Sequence, residues 1–510
     1  MRSEKQLFNY LKSRVMNKKF YWLAGFAALM MTAACSDDNV VNENPTPDPE
    51  PEVNEYVGEM QMYDAASQAG RVHVYPQTRA LKSERLSLVA KVDVPTPQAE
   101  YNWSVTSLYL DEAKSLLYAT WHSNMQAGTG TLPAVWGGAF DVYSINKNSQ
   151  GDADEGVDID YFQPKLLSTG VATDMKFEHV MRKGNNLFLS GTQVKNGGGV
   201  ARADVSAATS GSTAPLEYEI IGFPGSSVNA TAVTEDGQII AISGYTGTFG
   251  TFNENIEAGP YQDAEGNNRA ELNLHDAKPR VDWGGKYVTD DAKYMLRDDT
   301  DEAIIILNDE AQHYPNYRLG YKLLSSERSA EKYEVDENGK FLGWELVDGT
   351  EAQKYGKHVL VVKDGYAYVA AGWNGLRVHD LNDNGREVRW QTQDADKQNN
   401  GPYTTGLFAD DEYLYAATSQ GLRVYTFKED GGLELFAFEV ENYDENGAPQ
   451  RDEDGNYQAA QTETAERHSC NFVVAGKFND GSKYIYVAYG KSGIRMYKLN
   501  PDAEETTKPE

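Results

Sequence analysis

The sequence predicts an all-β chain folded as a β-propeller: seven blades of four antiparallel strands, with the ring closed by an N-terminal strand. Three observations predict it. A two-part phrase recurs, in which a strand-like run (366–371, 413–417, 484–488) is followed by a Gly-led second run (375–381, 421–427, 493–499). Seven runs of the first kind can be counted, at 116–121, 187–191, 239–244, 303–308, 366–372, 413–418 and 484–490. Tyr, Val, Ile and Leu dominate the recurring phrase, as suits a pleated, half-buried surface. One hairpin cannot bury its own apolar faces, whereas several arranged around an axis can.

The chain opens with a basic stretch, Met16-Asn17-Lys18-Lys19, then a mostly apolar run over 20–34 that ends in Thr32-Ala33-Ala34-Cys35. The run is short for a membrane span and fits the apolar part of a signal peptide. The small residues before Cys35 resemble a lipoprotein signal, although Thr32 departs from the usual Leu, Val or Ile. The resemblance implies cleavage before Cys35 and acylation of that residue. An ordinary secretory signal is the alternative, and Met16 is a second candidate start. Ser36-Asp37-Asp38 resembles the surface-export signal of Bacteroidetes lipoproteins; the plainer alternative is a solvated tether. Residues 1–34 are thus read as the signal and 35–55 as a lipidated, acidic, Pro-rich spacer (Pro45, Pro47, Pro49, Pro51) with too few apolar residues to fold.

The propeller domain is placed at 56–500 and a polar tail at 501–510. Leu86-Ser87-Leu88-Val89-Ala90-Lys91-Val92 precedes the first blade and alternates well. It is expected to pair into the last blade and hide two sheet edges at once. Most first runs have a Gly-bearing follower: 138–143, 199–205 and 247–252, then the three recurring ones. The follower of the fourth run, 317–321, is the weakest, and 253–300 resists parsing. Six or eight blades are therefore alternatives. The segments 335–340, 443–447 and 452–456 carry Asn-Gly or Asp-Gly and read as exposed acidic hairpins.

Gly-Leu-Arg-Val-His-Asp-Leu (375–381), Gly-Leu-Arg-Val-Tyr-Thr-Phe (421–427) and Gly-Ile-Arg-Met-Tyr-Lys-Leu (493–499) resemble the LVIVD repeat. Arg stands where that repeat carries an apolar residue, and its closing Asp survives only at Asp380. The resemblance implies four-stranded propeller blades and a bacterial or archaeal cell surface. It implies no chemistry.

A net charge of −30 argues against nucleic acid, whose phosphates need a basic footprint. With Cys35 acylated, Cys470 is left alone, so no disulfide is expected in the mature domain. His179, His358 and His468 each fall shortly before a blade's apolar run, where imidazoles could converge on a channel rim. Their unequal offsets favour structural hydrogen bonding over a metal site, and no cofactor is expected. The acidic runs 298–302 and 452–456 lack the spacing of a twelve-residue calcium loop. Nothing reads as a nucleophile elbow, a phosphate loop or a zinc protease helix. Trp121, Trp136 and Trp373 lie at strand ends and Tyr403 near another blade start, where rings either grip flat ligands or pin loops to a core.

These features point to a non-enzymatic binding or scaffolding module, lipid-anchored to the outer membrane and facing outward. Its expected partners are the membrane itself, an outer-membrane β-barrel protein, and a glycan or small molecule. A surface hydrolase or lyase acting on a polysaccharide or small ester is the alternative.

Overall fold

The computed structural model describes residues 55–77, 85–95, 103–124, 136–151, 158–193, 197–223, 228–233, 238–243, 248–276 (save 268 and 270), 359–370, 376–380, 386–390, 404–460 (save 457 and 459), 470–478 and 481–503, with six short strands between 280 and 344. The signal, Cys35 and nearly all of the expected tether lie outside these residues, as does most of the expected C-terminal tail.

Four strands precede the first blade: β1 (Val57–Asp64), β2 (Val72–Val74), β3 (Pro76–Gln77) and β4 (Leu86–Val92). The first blade follows as β5 (Trp103–Asp111), β6 (Leu116–Asn124), β7 (Trp136–Gly151) and β8 (Asp158–Ala172). The second is β9 (Met175–Lys183), β10 (Asn186–Gln193), β11 (Gly197–Asp204) and β12 (Leu216–Gly222). The third is β13 (Val228–Val233), β14 (Ile239–Ser243), β15 (Thr248–Phe252) and β16 (Asn273–Asp276). Three two-stranded ladders come next: β17 (Arg280–Val281) with β18 (Tyr287–Val288), β19 (Tyr294–Arg297) with β20 (Ala303–Ile306), and β21 (Tyr333–Val335) with β22 (Phe341–Trp344). Two full blades follow: β23 (Val359–Lys363), β24 (Tyr366–Ala370), β25 (Leu376–Asp380), β26 (Arg386–Trp390), and then β27 (Thr404–Ala409), β28 (Tyr413–Thr418), β29 (Gly421–Phe427), β30 (Leu433–Phe438). The last blade has three strands of its own, β31 (Phe472–Lys477), β32 (Lys483–Ala488) and β33 (Ile494–Leu499).

Its fourth strand is β4. Leu86 pairs with Leu499 and Val92 with Ile494, antiparallel along the whole strand. The expected closure by 86–92 is therefore observed. Six four-stranded blades are drawn by the described residues. The fourth expected unit has its first run in β20, while its follower at 317–321 lies outside the described residues.

Within the blades, the first strand is the inner one: β23, β27, β31, β5, β9 and β13 pack side by side in that order. This sequence of sheets around a common axis is a β-propeller. The core lies in slabs between neighbouring blades, such as Met60, Tyr118, Phe140, Phe177, Leu189 and Tyr218 between the first two. A second strand is covered on both faces by the adjoining blades. That is why β28 and β32 are buried at every residue and read as continuous apolar runs, without strand alternation.

The repeat has a local cause as well. Gly421 and Gly493 open the second phrase with φ of +75° and +77°, the left-handed region that an L side chain resists. The Arg of the recurring phrase has a use at Arg495: it bonds Glu439, a fully buried carboxylate from the preceding blade. The acidic hairpins at 443–447 and 452–456 are present; the second is largely exposed as expected, whereas the first is not, because it packs on β4 and buries Gly447. In each, the Asp carboxylate accepts two backbone N–H groups, Asn446 and Ala448 onto Asp444, and Asp454 and Asn456 onto Asp452. Asp263 builds the same kind of turn with Gly266 and Asn267, inside a region the sequence left unparsed.

Candidate functional site

Four of the inner strands, β5, β9, β13 and β27, carry β-bulges, and a bulge turns a side chain out of the sheet's alternation. In β9, Ser190 faces His179 and Gly191 faces Phe177, so Glu178 is the extra residue of the bulge. Its carboxylate Oε1 accepts from Lys176 Nζ at 3.2 Å and meets His122 Nδ1 of β6 at 3.1 Å. All three side chains are partly open to solvent, at 14–19%. The cluster joins the first and second blades at the end where the inner strands begin. A carboxylate fixed against an imidazole, with an ammonium beside it, is an arrangement that can orient a ligand or move a proton.

His179 is next in the chain and plays a different part. It is buried, and its Nδ1 lies 2.9 Å from Thr231 Oγ1 and accepts from the Thr231 backbone N–H at 3.1 Å. Its ring stands edge-on to Phe472, centroids 6.2 Å apart. β5 lies between β9 and β31 in the ring, so this contact passes on the axial side and fills space there. His179 thus ties the second blade to the third.

Of the rings expected at strand ends, Trp121 is fully buried and pins the core: its Nε1 donates to Asp141 Oδ2 at 2.8 Å. Trp136 opens β7, but its side chain lies outside the described residues, as do Trp373, Tyr403, His358 and His468. Among the described residues, no group of three or more His, Cys, Asp or Glu is placed to hold a metal ion.

Trp121 leads to a second polar centre. Asp141 in β7 accepts from Arg71 Nη2 at 2.7 Å, Arg71 Nη1 at 3.2 Å, Thr169 Oγ1 at 2.5 Å, Trp121 Nε1 and Tyr143 Oη at 2.6 Å. Arg71 also donates to Gln68 Oε1 and the Asp93 carbonyl. Every one of these side chains except that of Asp93 is buried. Burial alone would lower the Arg71 guanidinium; the charge and hydrogen bond of Asp141, with smaller contributions from Tyr143 and Asp93, together outweigh it and hold it above its ordinary value. Burial, then the same carboxylate, pushes the Tyr143 hydroxyl well up. Arg71 comes from the N-terminal segment and Asp141 from the first blade, so the pair fastens one to the other.

A third polar group bridges the last two complete blades. Lys483 Nζ, in β32, donates to Asp410 Oδ2 at 2.8 Å and Glu412 Oε2 at 2.9 Å, both in the β27–β28 turn. Burial pushes the Asp410 carboxyl up, but bonds from Lys483, Tyr415 and two backbone amides hold it below its ordinary range.

The sequence reading missed Arg71, Asp141, Glu178, His122 and Lys176 because each acquires its meaning from a partner in another strand. A lone buried-type run containing Asp141 (Ala139 to Tyr143) was the one available signal.

No family model matches the chain, and no curated protein matches it. Solved structures do resemble it. A catalytically inactive virginiamycin B lyase from Staphylococcus aureus with quinupristin is similar at 10% identity and a TM-score of 0.39, over 81% of this chain and 99% of that one. Sqt1 from Chaetomium thermophilum is similar at 9% identity and 0.36, over 79% and 96%. YCF48 from Cyanidioschyzon merolae is similar at 12% identity and 0.33, over 80% and 98%.

Proposed function

We propose that the chain is a lipid-anchored β-propeller of the LVIVD-repeat type that binds or scaffolds a partner at the outer membrane, facing the exterior. The observation that carries this reading is the junction at residue 55. A cysteine-terminated leader and an acidic Pro-rich spacer run directly into a rigid ring of sheets, with the Glu55 carbonyl accepting from Gln193 Nε2 at 2.7 Å. A tether ending on a broad, stiff domain suits capture or docking. The partner is an outer-membrane β-barrel protein, with a glycan or small molecule as the ligand class. The test is a mild-detergent pull-down of the tagged, lipidated protein from its native membrane. A stoichiometric β-barrel partner is the expected result; a clean monomer would remove the docking reading.

The His122–Glu178–Lys176 cluster favours a second reading, a surface hydrolase or lyase in which Glu178 orients His122 as a base. On that reading Glu178→Gln abolishes turnover of a polysaccharide or ester substrate without loss of fold. On the binding reading no turnover exists to lose.

A further inference from the structure

The N-terminal segment 57–77 lies across blades that are already complete without it. β1 pairs through Val57–Met60 with β12 and through Gln61–Asp64 with β8, so one strand spans the outer edges of the second and first blades. β2 then pairs with β4 on the outside of the last blade, and β3 returns to β8. Three neighbouring blades are thereby joined along their rims. We propose that this segment is a releasable clasp: it docks on finished blades, and it leaves them as one unit, opening the edges of β8 and β12 while the ring stays folded.

Three features separate the clasp from the blades. Its hold is shallow, since only Met60 and Met62 of β1 are buried, and β2 is half-exposed or exposed throughout. The second strands of blades, such as β28 and β32, are covered at every residue, while an outer strand such as β30 has two buried positions like β1. Besides Met60 and Met62, its deep insertion is a charge, Arg71, set in a socket of Asp141 and Thr169, with Gln68 of the same segment beside it. A buried ion pair gives register more than stability, and a polar socket accepts water when the pin leaves, whereas an apolar socket would not. Finally, the ladder carries a conflict: Glu59 stands directly opposite Glu217, both exposed. Like charges across a ladder weaken it. Local openings of this kind occur below the free energy of global unfolding and are read by hydrogen exchange.

The experiment is hydrogen–deuterium exchange on the full chain, with two variants. In the unmodified protein, amides of 57–64 and their partners in 168–171 and 216–219 exchange together, at least ~10-fold faster than those of β6 and β10. Arg71→Met speeds that group by a further ~10-fold and leaves β28 and β32 unchanged. Glu59→Cys with Glu217→Cys, once oxidised, slows it by a similar factor and reduction restores it. Exchange of 57–64 at the rate of β6 and β10 would overturn the proposal. So would an Arg71→Met variant that speeds all blades equally or fails to fold, or an oxidised cross-link that changes nothing.

Discussion

Asp141 accepts hydrogen bonds from four different side chains, and each donor would be left buried without it. Removing one partner of a buried pair strands the other, at a cost of about 3–5 kcal/mol. Asp141→Ala is therefore expected to lower unfolding free energy by about that amount in urea titration. A loss below about 1 kcal/mol would show that water replaces the carboxylate. Asp410 gives a pH-dependent counterpart. Its folded carboxyl is held low, so its contribution is complete above the unfolded value of about 3.9 and is lost as pH falls through the folded one. Lys483 has its ammonium raised: burial lowers it, and bonds to Asp410 and Glu412 more than offset this. Its contribution is complete below the unfolded lysine value and is lost as pH rises through the folded one. Asp410→Asn should flatten the acid limb of a melting-temperature profile below about pH 4. An unchanged limb would assign acid sensitivity elsewhere. Residue-scale chemistry of this kind was the least legible part of the sequence. Arg71 and Asp141 are 70 positions apart, and His122 and Glu178 are 56 apart. Glu178 also depends on a bulge that only its partner strand defines.

Elements were easier to read where their cause is local. The strands of the repeat, the closing strand β4 and the acidic hairpins all announce themselves by alternation, apolar runs or turn residues. β1 did not, because it contributes only two buried side chains and has no copy elsewhere in the chain. The hairpins allow a controlled comparison. Gly447 and Gly455 occupy the same turn position with φ of +82° and +85°. A Cβ at Gly455 meets nothing within 4 Å, whereas one at Gly447 would run into the Leu88 carbonyl oxygen of β4, whose N–H donates to the Gly447 carbonyl at 3.1 Å. Gly455→Ala should cost about 1 kcal/mol and Gly447→Ala clearly more, because the second also displaces the closing strand. Equal costs would mean that this hairpin does not brace the seam. On the clasp, Glu217→Lys replaces a like-charge pair by an opposite one. It should add about 0.5 kcal/mol at low salt, fading as salt rises. A destabilised variant would contradict the observed register of β1 on β12.

At the scale of the molecule, several specific contacts join the first and last blades. β4 completes the last blade there. Asn471 Nδ2 donates to the Val105 carbonyl at 2.7 Å, and Val105 N–H to the Gly490 carbonyl at 3.0 Å. Phe162, near the end of the long β7–β8 ribbon, stacks on Tyr484 with centroids 4.5 Å apart, and Phe478 meets the same ring edge-on at 5.0 Å. The chain thus invests its N-terminal segment in closure, directly after the stretch proposed as its membrane tether. The N-terminal peptide of the protein isolated from its own membrane tests that proposed anchor most directly. Mass spectrometry should find a peptide that begins at Cys35 and carries acyl chains. A peptide that reads through Cys35 unmodified, or that begins at another residue, would contradict the account.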